Sequence, residues 1–329
     1  MAESQLVRNF RLVGTIVYVD GITRAGKSLL GPVLASFERV ELERMEEIIE
    51  YIGALYRLGK IERDAAVTTI QLRADAFLYN GLLGRNMNLR FGDHSSVWQQ
   101  TGRMEFLKRL RAEEGPGVLN RINTGKPIFQ NMTHDQLANF HLHKEAFGDD
   151  LYFVELVRHP VGLMESWLRR GWSTRFQVDP LALTYTLKWS ETQVPYYAAG
   201  WEEEFMEASP EGRVIRMISQ IWHDIQSTYD GLSDEEKGHV HYVIYDEFIR
   251  NPEPYLEPLA EFLGTKTTPD TGSILKLKNL PANRPVDADR IMNTIRTKIS
   301  DEEAKMMDRL ESEYHDLFRS HVVGWSGRL

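Results

Sequence analysis

The chain has 329 residues and a formal net charge of −9, from 39 Lys and Arg against 48 Asp and Glu. It has no cysteine, which excludes disulfide frameworks, thiolate nucleophiles and Cys-based metal sites. The acidic balance argues against a broad nucleic-acid surface but leaves room for a local basic pocket. We find neither a signal peptide nor an apolar run of the roughly 18 residues that a membrane span needs, and therefore expect a cytoplasmic protein with no nucleic-acid or membrane partner.

Apolar runs rich in β-branched or aromatic residues predict buried strands at 14–20, 127–132, 151–157 and 240–245. Apolar residues at helical spacing predict helices between and after them, over 43–58, 61–83, 106–114, 160–170, 214–229 and 301–318. Strands that alternate with helices form parallel βαβ units, so we predict an α/β three-layer sandwich with a central parallel β-sheet flanked by helices. Ligands of such folds bind at the carboxyl ends of the strands.

A phosphate-binding loop is predicted directly after the first strand. Residues 21–28 read GITRAGKS and match the pattern G-x-x-x-x-G-K-[S/T] at every fixed position, with an apolar helical segment following. In this motif the glycines let backbone N–H groups point at phosphate oxygens, and the helix N-terminus with Lys27 and Arg24 adds positive charge. The loop predicts phosphate binding but does not identify the reaction.

A second candidate phosphate element lies where the third predicted strand ends. Arg158 is at the carboxyl end of that strand, Pro160 opens the next helix, and Ser166 follows eight residues after the arginine. A guanidinium at the strand tip and a hydroxyl on the helix would hold one phosphate together. Taken alone, the pair is better explained as ordinary helix-start residues, but beside the loop it indicates a second phosphate.

Together, these elements resemble the sulfotransferase family, whose members use PAPS (3′-phosphoadenosine 5′-phosphosulfate) as donor. Residues 24–28 resemble the family's 5′-phosphosulfate loop, and residues 158–166 resemble its 3′-phosphate element. Residues 245–264, which contain YDEF, NP and FLG, are similar to a late strand-and-helix segment of the family. Thr133 and His134 resemble the Thr-His pair of cytosolic members.

Two features depart from the family pattern. Lys27 stands where sulfotransferases usually carry Thr or Ser, which makes the loop resemble that of a nucleotide kinase. The C-terminal Arg-Lys-Gly phosphate segment of cytosolic members is not evident, and Arg284 is only a loose substitute for it.

The resemblance implies in-line transfer of a sulfuryl group from PAPS to a hydroxyl or amine, with PAP (3′-phosphoadenosine 5′-phosphate) as product and no metal required. It implies a catalytic role for Arg24 at the bridging and leaving-group oxygens. The donor-binding residues that it implies are Gly21, Thr23, Arg24, Ala25, Gly26, Lys27, Ser28, Arg158, Ser166, Tyr245 and Arg284.

The general base has two principal candidates. The position of His134 resembles that of the catalytic base of cytosolic members, although Thr133 and Asp135 beside it are also typical of a helix start. Glu47 is the rival, because its segment is similar to the one in which carbohydrate sulfotransferases place a catalytic glutamate. His94, in a predicted loop, is a third candidate.

Two other functions stay open at this point. A P-loop kinase using ATP and magnesium is consistent with Lys27, Ser28 and the hydrophobic-then-acidic run at 243–247, and a non-catalytic nucleotide-binding protein would keep only the binding residues. The pair Arg158 and Ser166 has no required role in a kinase, and a non-catalytic protein would be recognised by binding residues that are needed while His134 and Glu47 are dispensable.

No linker divides the sequence, so we predict a single domain over residues 1–329. Segments 61–125 and 172–212 are predicted to be helical insertions that cover the acceptor site. Their composition fits a small-molecule, carbohydrate or peptide acceptor equally well, and the sequence does not indicate an oligomeric state.

Overall fold

The computed structural model describes residues 4–93, 95–101 and 103–321. Its strands are β1 Thr15–Asp20, β2 Ile128–Met132, β3 Leu151–Val157, β4 Thr186–Trp189, β5 Thr192–Pro195 and β6 Val240–Ile244. Strands β2, β1, β3 and β6 form, in that order, a four-stranded sheet in which every pairing is parallel. Strands β4 and β5 form a separate antiparallel hairpin.

The helices account for most of the remaining chain. In order they are α1 Lys27–Leu34, α2 Glu47–Arg57, α3 Arg63–Leu82, α4 Arg103–Lys108, α5 Pro116–Gly125, α6 Phe140–Phe147, α7 Pro160–Arg169, α8 Arg175–Val178, α9 Glu202–Glu207, α10 Pro210–Gly231, α11 Asp234–Lys237, α12 Tyr245–Arg250, α13 Glu253–Phe262, α14 Pro269–Leu277, α15 Ala288–Ile295 and α16 Asp301–His321. In the described ranges, no helix is long and apolar enough to cross a membrane.

The central sheet confirms the predicted α/β architecture, and all four predicted strands are present. Residues 16–20 of β1 are all buried, although successive side chains of a strand point to opposite faces of the sheet. Both faces are therefore covered, as expected for a parallel sheet flanked by helices. A single hydrophobic cluster extends from Val13 to Tyr314 and contains core residues of all four strands.

Two predicted helices have different limits in the structure. Helix α2 begins at Glu47 rather than at residue 43, because Val40 and Arg44 pair in parallel with β2 and extend the sheet edge. The helix predicted over 106–114 is replaced by α4 and a single 3₁₀ turn, Arg109–Arg111.

The prediction that segment 172–212 is helical holds only in part, because hairpin β4–β5 lies between α8 and α9. The hairpin has a two-residue connection, Ser190 and Glu191, and Ser190 adopts a left-handed φ of 51°. Such turns join strands with matching twist, and the β-branched Thr186, Thr192 and Val194 suit the paired strands.

The parallel sheet brings distant residues to one edge. The carboxyl ends of β1, β2, β3 and β6 are followed directly by the loop at 21–26, by Thr133 and His134, by Arg158, and by Tyr245. The phosphate loop, the candidate base and the second phosphate element therefore lie on the same side of the molecule.

Candidate active site

The loop after β1 depends on two glycines with positive φ. Gly21 has φ 127°, and a Cβ atom there would lie 2.4 Å from the backbone oxygen of Leu156. Gly26 has φ 113°, and a Cβ there would lie 2.2 Å from the Tyr245 ring. Both positions require glycine on conformational and steric grounds. The loop therefore packs closely against β3 on one side and against the start of α12 on the other.

The two predicted phosphate elements are in direct contact. Arg24 Nε donates a hydrogen bond to Ser166 Oγ at 3.2 Å, and Arg158 Nη1 donates to the backbone oxygen of Arg24 at 2.9 Å. Trp167 Nε1 donates to the backbone oxygen of Thr23 at 2.8 Å. Helix α7, the preceding Arg158 and the phosphate loop thus form one continuous surface.

Tyr245 completes this surface from the end of β6. The guanidinium carbon of Arg158 lies 5.2 Å from the centroid of the Tyr245 ring, a cation–π contact. The same ring lies against Gly26. The Arg158 guanidinium therefore contacts both the phosphate loop and an aromatic ring.

A cavity of about 620 Å³ opens over this surface. Among the residues that the structure describes, its lining has no Asp or Glu, and it has six cationic side chains. The lining residues are Thr23, Arg24, Gly26, Lys27, Ser28, Leu29, Gln99, Met132, His134, Arg158, Arg170, Trp172, Tyr245, Leu277, Lys278, Asn279 and Arg284. Of the other predicted donor-binding residues, Gly21 and Ala25 are buried in the loop. Ser166 does not line the cavity but is hydrogen-bonded to Arg24, which does.

The electrostatics of the cavity favour an anion. Burial and the neighbouring Arg170 and Arg158 lower the pKa of Arg24, because each added positive charge opposes the charged form. Arg158 Nε and Lys278 Nζ are buried and have no hydrogen-bond partner within the described ranges. Unpaired buried donors are costly, and phosphate or sulfate oxygens would satisfy them. The lining residues therefore fit a bisphosphate such as PAP, and its sulfated donor form.

Lys27 is buried beneath the loop rather than extended across the cavity. Its Nζ donates to the backbone oxygens of Gly21 and of Ile22, the latter at 3.1 Å. Burial lowers the pKa of Lys27, and the nearby carboxylates of Asp20, Glu50 and Glu155 oppose this effect. Its neighbour Ser28 is exposed in the first turn of α1.

His134 lines the cavity just beyond β2. Its Nδ1 lies 3.0 Å from Oε1 and 3.2 Å from Oε2 of Glu50, a residue of α2. Glu47 is exposed at the start of the same helix and is not among the cavity-lining residues. The structure therefore brings His134 and not Glu47 to the phosphate elements. His94 lies outside the described residues.

Several cavity residues were not predicted from the sequence. Arg170 is the last residue of a predicted helix, Lys278 and Asn279 lie where the sequence predicted no element, and Gln99 and Trp172 come from the two segments predicted to cover the acceptor site. Glu50 was missed because it is one of several glutamates in 41–50, and only the packing of α2 beside β2 distinguishes it.

A comparison with protein families matches residues 62–320 to the family described as Sulfotransferase domain. The chain belongs to this sulfotransferase domain family. The matched range contains His134, Arg158, Ser166 and Tyr245, and it begins after the phosphate loop at 21–28. The structure places that loop in contact with the matched elements through the bond from Arg24 to Ser166.

Several solved structures that are similar to this chain are sulfotransferases by title. The sulfotransferase domain from the curacin biosynthetic pathway is 14% identical, with 92% of this chain and 98% of that chain covered and a TM-score of 0.47. The sulfotransferase domain of the Synechococcus PCC 7002 olefin synthase is 13% identical, with 89% and 98% covered and a TM-score of 0.42. A sulfotransferase from Alicyclobacillus acidocaldarius is 12% identical, with 91% and 98% covered and a TM-score of 0.38. No curated protein matches the chain, so the family assignment rests on the family match.

Proposed function

We propose that the protein transfers a sulfuryl group from PAPS to a hydroxyl or amine of an acceptor. The observation that supports this most is the joining of two phosphate elements in one cation-lined cavity, through Arg24, Ser166 and Arg158. PAPS carries two separate anionic groups, a 3′-phosphate and a 5′-phosphosulfate. A single phosphate site would need only the loop.

Each phosphate element has its own role in this proposal. The loop amides and Ser28 bind the 5′-phosphate, and Lys27 beneath the loop adds positive charge to it. Arg158 and Ser166 bind the 3′-phosphate, and Lys278 and Arg284 add positive charge to the same cavity. Tyr245, which already stacks on Arg158, lies beside the adenosine.

Transfer forms a bond between the acceptor oxygen or nitrogen and sulfur and breaks the bond from sulfur to the 5′-phosphate oxygen. Negative charge collects on that leaving oxygen, where the Arg24 guanidinium stabilises it. His134 takes the acceptor proton, and we favour it over Glu47 because it lines the cavity. The six cations of the lining supply the positive charge, so we propose that no metal is required.

We also propose that the chain acts as a single catalytic domain. Its hydrophobic core is one cluster. Segments 61–125 and 172–212 contribute Gln99 and Trp172 to the cavity, which supports a role for both segments in acceptor selection. The acceptor class stays open between small molecule, carbohydrate and peptide.

The residues after β6 give little support to the kinase alternative. Asp246 accepts hydrogen bonds from the backbone N of His159 at 2.9 Å and from Tyr314 OH at 3.1 Å. Glu247 pairs with Arg250 at 3.1 Å. The carboxylates that a kinase would use to hold magnesium are thus engaged elsewhere, and neither lines the cavity.

Calorimetric titration tests the proposal, with PAP compared with ATP plus magnesium. We expect metal-independent binding of PAP that weakens about 10- to 150-fold in Arg158→Ala, the scale of a hydrogen bond to a charged group. Arg319→Ala is the matched control, because Arg319 is an exposed arginine paired with Asp316 on α16. A preference for ATP with magnesium, unchanged in Arg158→Ala, would contradict the proposal and favour the kinase.

A further inference from the structure

His134 and Glu50 form a contact that donor binding does not explain. The two residues are 84 positions apart, and their side chains meet at 3.0 and 3.2 Å. The side chain of His134 is 19% exposed and that of Glu50 is 15% exposed. Both are shielded enough for a hydrogen bond with a carboxylate to be stronger than it would be in bulk water.

The backbone around His134 is fixed on both sides. Thr133 Oγ1 donates to Asp20 Oδ1 at 2.9 Å, and the buried Asp135 pairs with Arg57 of α2. The backbone oxygen of His134 itself accepts a hydrogen bond from Gln136 Nε2 at 2.9 Å. The conformational freedom that remains to His134 is therefore in its ring, namely its rotation and its tautomer.

Glu50 restricts both the rotation and the tautomer of the His134 ring. An ionised carboxylate only accepts hydrogen bonds, so a neutral imidazole with Nδ1 facing Glu50 carries its proton on Nδ1. Nε2 then holds the free lone pair, which is the atom that a general base must offer. In the opposite tautomer the Nδ1 lone pair would face the carboxylate, and Nε2 would be unable to take a proton.

We propose that Glu50 is a positioning residue, which fixes the Nδ1–H tautomer and the ring orientation of His134 so that Nε2 is free to accept the acceptor proton. The inference rests on the proposed function, in which His134 is the base. It adds a residue that acts through His134, in the way that a buried carboxylate orients an imidazole in other enzymes.

The charge of Glu50 also reaches other groups. Lys27, Asp135, Tyr51 and Tyr197 all lie close enough for that charge to affect them. Removing the charge therefore alters more than one residue. For this reason the test reads the state of His134 directly and does not rely on activity alone.

The first measurement is ¹⁵N NMR of the imidazole nitrogens in the full chain without ligand. It is made at a pH about two units above the ordinary imidazole value of about 6.5. The His134 signals are assigned by their loss in His134→Asn. We expect protonated Nδ1 and unprotonated Nε2 in the wild type, and loss of this preference in Glu50→Gln. Glu47→Gln removes the same charge three residues earlier on α2 without touching His134, and should leave the tautomer unchanged.

The second measurement is the slow hydrolysis of PAPS, with water as the acceptor. Water forms the new bond to sulfur, PAP leaves with the bridging oxygen, and the water proton passes to Nε2 of His134. We expect Glu50→Gln to lower kcat about 10- to 100-fold, the scale of the loss when the hydrogen-bond partner behind a metal-bound imidazole is removed. The KM for PAPS and the affinity for PAP should change much less than kcat, since Glu50 is not a cavity-lining residue, although its charge reaches Lys27.

The outcomes separate this inference from the proposed function. An Nε2–H tautomer in the wild type, or a Glu50→Gln variant that keeps both tautomer and kcat, overturns the role of Glu50 while PAP binding stands. Failure of the wild type to bind PAP rejects the proposed function, whatever the tautomer. A Glu50→Gln variant that loses PAP affinity together with kcat indicates a general structural role and also overturns the inference.

Discussion

Arg24 and Ser166 are 142 residues apart in the sequence and are joined by a 3.2 Å hydrogen bond from Nε to Oγ. The bond connects the phosphate loop after β1 to helix α7 after β3. It fixes the guanidinium that the proposed mechanism places at the leaving-group oxygen. The proposed 5′- and 3′-phosphate sites therefore share a side chain.

Replacing Ser166 with Ala should weaken the donor site without unfolding the protein. The variant loses one buried hydroxyl and frees the Arg24 guanidinium. We expect PAP affinity to fall about 3- to 10-fold, corresponding to about 0.5–1.5 kcal/mol for one hydrogen bond. Calorimetry checks this, with Ser320→Ala as control, because among the described residues that hydroxyl bonds to the backbone oxygen of Asp316 in its own helix, α16. Equal affinities for wild type and Ser166→Ala would show that the bond does not organise the site.

Gly26→Ala should reduce stability and PAP binding far more than an alanine at another glycine with positive φ. Gly26 has positive φ and would place its Cβ 2.2 Å from the Tyr245 ring, whereas Gly59 has φ 62° and nothing within 4 Å of an added Cβ. Gly59→Ala should therefore cost only about 1 kcal/mol of backbone strain. Gly26→Ala should abolish PAP binding or prevent folding. Thermal unfolding and PAP titration of both variants measure the difference, and similar behaviour of the two would contradict the close packing of the loop.

PAP should raise the thermal stability of the protein, and salt should reduce the effect. The cavity lining holds six cations and, in the described part of the chain, no carboxylate, so an anion relieves their mutual repulsion. At about 100 times its Kd a ligand adds about 2.7 kcal/mol to the unfolding free energy. Thermal shift assays between about 0.05 and 0.5 M NaCl should show the gain shrinking as screening increases. A salt-independent shift would argue against an electrostatic site.

Glu43 should make stability depend on pH. This carboxyl is buried beside Gly31, and burial raises its pKa from 4.5 to about 8, although Lys278 and Lys27 lie near it. The folded state holds the proton more tightly than the unfolded state, so the stabilisation is complete below about 4.5 and is lost as pH rises towards 8.

Glu43→Gln removes this titration. Relative to wild type, the variant should gain about 1 kcal/mol or more of unfolding free energy when the pH rises from about 5 to about 8. Urea unfolding at both pH values measures the gain, and other titrating groups cancel in the comparison with wild type. A difference that does not change with pH would show that Glu43 is ionised in the folded protein.

The sequence by itself determined the features that depend on residues close together in the chain. The four strands, the alternation with helices, and the loop at 21–28 all follow from local hydrophobic period and turn chemistry, which act over a few residues. Arg158 lies at the end of a strand that the pattern locates, whereas Ser166, inside the following helix, was assigned to the phosphate by the resemblance to the sulfotransferase family. The carboxyl ends of parallel strands then had to meet at one edge.

Only the tertiary structure decided which side chains share the cavity. It placed Glu50, one turn beyond Glu47, against His134, and it brought Lys278 and Trp172 to the same cavity as the phosphate loop. It also formed the β4–β5 hairpin where the sequence predicted helix. These outcomes depend on how elements far apart in the chain pack and on which way each side chain points. Local propensity does not encode them, because those contacts form only when the whole core is assembled.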